Sequence, residues 1–226
     1  FYKLDDETKI LKFEKSFAKH NNQKYCLAFP FARTAIHSIL KTLNLPKGSE
    51  VIMSPISIKG ILDAVLDLGL VPKYIDLDTE TFNFKTEDIE KSITGKTKAA
   101  IITNLFGLVP NMENIILPLR EKNIFIIEDF SHGLNSIYCG KSIGSFGDVG
   151  VYSSSSMKTL DTLGGGLIVT DQFSLYQDLI KIKKNLFPSN RIFLIKKAYI
   201  NLIRNIATNT LIFSLFTFYF LQLLRI

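Results

Sequence analysis

Asp129 and Lys158 are the residues whose types and settings point most directly to chemistry. The pair Glu128-Asp129 ends the apolar run that starts at Asn123. A carboxylate at the end of a buried strand usually faces a ligand crevice, and its plainer role is to cap the next helix. Lys158 follows the hydroxyl run Ser153–Ser156 and precedes Gly164-Gly165-Gly166. A lysine between such segments is ordinarily a solvated charge. Hydroxyls upstream and glycines that let backbone approach closely could instead cradle a phosphate. A lysine able to form a Schiff base, a phosphate cradle and a carboxylate for a pyridinium nitrogen are together what pyridoxal phosphate requires.

These groups need elements to bring them together. Apolar spacing predicts helices over 34–43, 57–69, 86–93 and 112–122. Short apolar runs predict strands over 51–53, 73–77, 99–103, 123–129, 149–152 and 166–170. Strands that alternate with helices and lack a polar face imply an α/β fold: a three-layer, mostly parallel sheet with helices on both faces. Ligands of such sheets sit beyond the carboxyl ends of the strands, where Asp129 lies. Residues 1–30 are expected to form an N-terminal helical segment, 31–185 the ligand-binding domain and 186–226 a separate tail.

Composition narrows the classes. With 46% hydrophobic and 21% charged residues the chain is globular rather than disordered. Cys26 and Cys139, its two cysteines, are too few for a disulfide scaffold or a multi-cysteine metal site, and suit a reducing cytosol. No metal site is expected. The net charge of +6 is unevenly spread: residues 1–178 hold 19 basic and 21 acidic groups, whereas 179–226 hold eight basic and none acidic. A nearly neutral body argues against nucleic acid, and a cationic, apolar tail suggests a membrane surface or an acidic partner. The start at Phe1 shows no signal-peptide pattern, and a fragment is one reading of it.

Three runs carry a family resemblance: Ile126-Ile127-Glu128-Asp129-Phe130-Ser131-His132-Gly133, Gly140 to Ser153, and Lys158-Thr159-Leu160 with Gly165 to Asp171. They resemble the DegT/DnrJ/EryC1/StrS aminotransferases, and Glu50-Val51-Ile52, Asp76-Leu77-Asp78 and Gly107 fall in that family's order. The run Gly144-Ser145-Phe146-Gly147-Asp148 is the most specific part. The resemblance covers about residues 10 to 185 and implies the large domain of a fold-type I pyridoxal-phosphate enzyme acting on nucleotide-linked keto-sugars. It implies that Lys158 holds the cofactor and shuttles a proton, and that Asp129 pairs with the pyridinium nitrogen. His132 would stand near the ring hydroxyl and Ser153 at the phosphate. It also implies glutamate as amino donor, a cytoplasmic homodimer and a role in polysaccharide or antibiotic sugar pathways. Relatives that dehydrate replace the lysine by histidine, so Lys158 speaks for transamination.

Two positions depart from the family pattern. Where it commonly has Ser-Gly-Thr at the first helix, this chain reads Phe31-Ala32-Arg33-Thr34, so Ala32 and Arg33 at the helix N-terminus are the expected phosphate contacts. Where an aromatic residue often covers the ring, the chain has Ile58. Past residue 185 the likeness fades, and the small C-terminal domain of relatives is not found. A non-catalytic remnant or partner subunit is therefore the alternative reading. Residues 205–224 carry no charge. The stretch 190–226 reads as a membrane-surface segment, a buried part of a longer protein or a spanning helix.

Overall fold

The computed structural model describes residues 6–79, 81–155, 158–186 and 191–223. The chain divides into two units, 1–186 and 187–226. The first is built on a seven-stranded sheet in the order β1-β9-β8-β5-β4-β2-β3. Its strands are β1 (Tyr25–Phe29), β2 (Glu50–Met53), β3 (Val71–Tyr74), β4 (Thr97–Thr103), β5 (Phe125–Asp129), β8 (Val149–Ser153) and β9 (Gly166–Thr170). The four pairings from β8 to β3 are parallel, and β9 pairs antiparallel with both β8 and β1. A small hairpin of β6 (Ile137–Tyr138) and β7 (Lys141–Ser142) lies apart; its turn carries Cys139 and Gly140 at positive φ.

Alternate residues of the sheet feed two layers. Val51, Met53, Ile101, Ile127, Val149 and Val151 pack under α2 (Ala32–Thr42), α3 (Lys59–Leu66) and α6 (Phe173–Lys184). Their neighbours Ile52, Ala100, Ile102 and Ile126 pack against α4 (Thr86–Ser92) and α5 (Met112–Glu121). The helix α1 (Glu7–His20) covers Tyr152, Leu167 and Val169 with Phe17. Buried Glu14 anchors that helix: its Oε1 accepts from Ala28 N–H at 2.7 Å and from Lys183 Nζ at 3.0 Å.

The expected α/β architecture is present, with corrections. Residues 1–30 are not only helical, because Tyr25–Phe29 forms an edge strand of the main sheet. The strand expected at 73–77 is Val71–Tyr74, while Leu77 instead bridges Phe84. Helix α3 is shorter than the 57–69 pattern because the chain turns at Gly69, φ +69°. No sequence pattern announced β6 and β7.

Candidate active site

Glu128 and Asp129 are sequence neighbours with separate jobs, because successive strand residues face opposite sides of a sheet. Asp129 shares the face of Ile127, beneath α2 and α3. Glu128 points the other way and is completely buried. Its Oε1 accepts from Gly144 N–H at 2.6 Å and Asn104 Nδ2 at 3.3 Å. Its Oε2 accepts from Phe146 N–H at 2.9 Å and Gly147 N–H at 3.4 Å. Burial pushes this carboxyl up, and the four donors oppose that by favouring the charged form. The most family-specific run is thus a strap. Asp148 fastens its far end by accepting from Ile126 N–H at 2.8 Å. Gly144 is required because a Cβ there would come within 2.5 Å of the Phe130 ring. Glu128→Gln replaces an acceptor by a donor facing donors. It should lower unfolding free energy by about 1–3 kcal/mol in urea titrations.

Asp129, at the end of β5, is 5% exposed. Its Oδ1 accepts from Ser131 N–H at 3.0 Å, and Ser131 Oγ accepts from Ser153 N–H at 2.9 Å. Burial raises this carboxyl above the ordinary range, against the opposing pull of Ser131, His132 and Lys158. Lys158 is half-buried, and burial lowers its ammonium while the Asp129 charge holds it up. The neutral amine, the nucleophilic form, is therefore more populated than on a surface lysine. His132 is held below its ordinary value by burial and then by Lys158. Its Nδ1 accepts from Phe106 N–H at 3.1 Å, so in the neutral ring the proton sits on Nε2 and is free to donate. The Phe106 ring stacks on the imidazole with centroids 6.2 Å apart.

The loop that presents Lys158 closes on itself. Ser154 N–H donates to Gly165 O at 3.1 Å, and Thr162 Oγ1 donates to Ser154 Oγ at 2.8 Å. Buried Tyr152 accepts from Leu160 N–H through its hydroxyl at 3.0 Å. Of the serine run, Ser154 is 1% exposed and locks the loop rather than facing a ligand, and Ser156 lies outside the described residues. Gly166 has a different task from phosphate wrapping. A Cβ on it would collide with the N–H of Ala32, so its smallness lets β9 meet the start of α2.

Ala32 and Arg33 open α2, whose N-cap Phe31 makes no side-chain capping hydrogen bond and whose first turn has no acidic residue. Its first N–H groups are therefore not used by a cap and suit an anion. Exposed Arg33 lays its guanidinium 4.2 Å from the Phe31 ring centroid, and its Cδ lies 2.7 Å from where a Cβ on Gly60 would be. Ile58 is the N-cap of α3 and is 62% exposed.

The structure thus brings Asp129, His132 and Lys158 into one electrostatic group and joins Ser153 to it through Ser131. Sequence reasoning missed Ser131, although Asp-x-Ser spacing favours such a local turn. It also missed Phe106 and Asn104, which reach the site only through long-range packing. Among the described residues no group of His, Cys, Asp or Glu could hold a metal ion. The donor set fits an anionic aromatic ring with a basic nitrogen: a buried carboxylate, a softened lysine, a fixed N–H donor and an uncapped helix start.

Comparison with known proteins agrees with that chemistry. The chain is 35% identical over 174 residues to GDP-perosamine synthase of Escherichia coli O157:H7, covering 77% of this chain and 48% of that one. It is 30% identical over 172 residues to the spore coat polysaccharide biosynthesis protein SpsC of Bacillus subtilis, covering 76% and 44%. The chain spans about half the length of the curated relatives it matches. Among solved structures, an aminotransferase from Psychrobacter cryohalolentis superposes with TM-score 0.74 at 27% identity, over 80% of this chain and 49% of that one. An E. coli GDP-4-keto-6-deoxy-D-mannose-3-dehydratase with bound hydrated PLP gives TM-score 0.72 at 29% identity, over 76% and 46%. The family model matches residues 3–190, and the chain belongs to the DegT/DnrJ/EryC1/StrS aminotransferase family.

Proposed function

We propose that this chain supplies the pyridoxal-phosphate domain of an aminotransferase that moves an amino group from glutamate to a nucleotide-linked keto-sugar. The observation that carries the reading is the mutual placement of Asp129, His132 and Lys158 at the carboxyl ends of β5 and β8. When bound, the cofactor supplies an electron sink for the substrate carbon. Lys158 would hold the cofactor and, when free, would move a proton to or from the reacting carbon. The buried Asp129 carboxylate would keep the ring nitrogen protonated. His132, with its Nδ1 occupied by Phe106 N–H, would offer its Nε2 proton to the ring oxygen. Ala32 N–H, Arg33 and Ser153 would bind the phosphate, and Ile58 would cover the ring. Lys158, where dehydrating relatives carry histidine, favours transfer over dehydration.

The finer features belong to the same proposal. A homodimer would cover the exposed apolar residues of the site loops, among them Ile56, Ile58, Phe106 and Leu108. A cytoplasmic location suits two free cysteines, with 190–226 at the inner face of the membrane. The test is the first half-reaction. Glutamate added to cofactor-loaded protein should replace the visible band of the bound cofactor by that of its amine form. An unchanged band on protein whose Lys158 carries the cofactor would leave a binding subunit that transfers nothing.

A further inference from the structure

The second unit presents an apolar stripe with a lysine, Lys196, at its margin. In α7 (Arg191–Ala207), Ile192, Ile195, Tyr199, Leu202, Ile203 and Ile206 fall within roughly 100° of arc at 3.6 residues per turn. Each of the six is between 49% and 75% exposed. Lys196 stands at one margin of that stripe, and Lys197 and Arg204 lie behind it. Asn201, also behind it, is 5% exposed. The second arm comprises α8 (Thr210–Ile212), a π turn (Phe213–Thr217) and α9 (Phe218–Leu223). It has no charged residue and exposes Phe213, Phe216, Phe218 and Phe220 around its circumference. Among the described residues no single helix is long and apolar enough to cross a membrane. The two arms pass that test only together, and they meet at a bend of 65°.

We propose that this unit docks on an anionic lipid surface: α7 lies in the interface with its stripe down and Lys196 at the headgroup phosphates, and the uncharged arm dips into the acyl region. Charge selects this occupant. No acidic residue occurs anywhere in 179–226, which matches a surface of one sign. A helix apolar all round, such as the second arm, needs apolar surroundings on every side, which a groove on one partner does not give. The inference rests on reading 190–226 as a lipid-contacting tail and is independent of amino transfer.

The sequence contains no tryptophan, so Tyr199→Trp creates a single fluorescent reporter in the full chain, with Phe216→Trp as a second. Both variants are first matched to the parent by circular dichroism. The probes are phosphatidylcholine vesicles with and without phosphatidylglycerol. Blue-shifted emission, quenched by brominated lipid, is expected with the anionic vesicles only and is expected to fall at high salt. Adding Lys196→Glu should weaken vesicle binding about tenfold. Emission unmoved by either vesicle would overturn the proposal. Emission already blue without lipid, on a chain eluting as a dimer, would overturn it in favour of a second copy. Neither failure touches the glutamate half-reaction, which reads Lys158 and Asp129.

Discussion

Lys158→Ala is expected to abolish covalent attachment of pyridoxal phosphate and to lower amino transfer by at least about 10²–10⁴-fold, the usual worth of a positioned acid–base group. On the proposed role the lysine would have two successive duties, so one substitution would remove both. It must present a neutral amine to the cofactor carbonyl, and burial beside the sheet lowers its ammonium for that purpose. It must then sit where a proton can pass, and the loop Ser154–Gly165 fixes it there through Ser154, Thr162 and the Tyr152 hydroxyl. Attachment should accordingly persist to lower pH than for an ordinary lysine amine. The fold should survive, because the Lys158 side chain makes none of the hydrogen bonds that close its loop. Absorbance and mass of the loaded protein check the attachment, and thermal unfolding checks the fold.

Asp129→Asn should cost about 10²–10³-fold in turnover, because a neutral amide cannot balance a proton on the ring nitrogen. It should act on stability in the opposite direction. Burial raises the folded-state carboxyl above its unfolded value, so the folded chain without cofactor binds that proton more tightly than the unfolded chain does. Its contribution is present below the unfolded value and is lost as pH rises through the raised one. The D129N chain lacks that loss, and without cofactor it should unfold at the same or higher denaturant concentration at neutral pH. Oδ1 can still accept from Ser131 N–H, so the side chain keeps its orientation. A residue that merely supported the fold would lower stability and turnover together; turnover and denaturant midpoint measured on one preparation separate the two roles.

The parallel sheet was legible because its strands are continuous apolar runs, and a run such as Ala99–Ile102 has few alternatives once helices flank it. Strand β1 was harder to read. Tyr25–Phe29 sits at the edge and pairs antiparallel with β9, far away in sequence, and only that pairing distinguishes it from the end of the preceding helix. In the site, Lys158 and Asp129 were readable from residue type and strand-end position. The division of labour between Glu128 and Asp129 follows from the two-residue period of a strand, yet the partners of Glu128 lie 16 to 24 residues away. The Phe106 N–H that fixes the His132 proton leaves no mark in composition, since any residue but proline supplies it. Ser154 within the serine run was ambiguous for a related reason. Hydroxyl content signals a phosphate cradle or a self-bonded loop equally, and packing turned Ser154 inward.

The central claim is that Lys158 holds the cofactor with Asp129 beneath the ring nitrogen. The most direct measurement is the intact mass of the full chain before and after borohydride reduction with pyridoxal phosphate, followed by peptide mapping. The account predicts one pyridoxyl group, located on Lys158. An adduct spread over surface lysines, or a chain whose mass does not change, would contradict it.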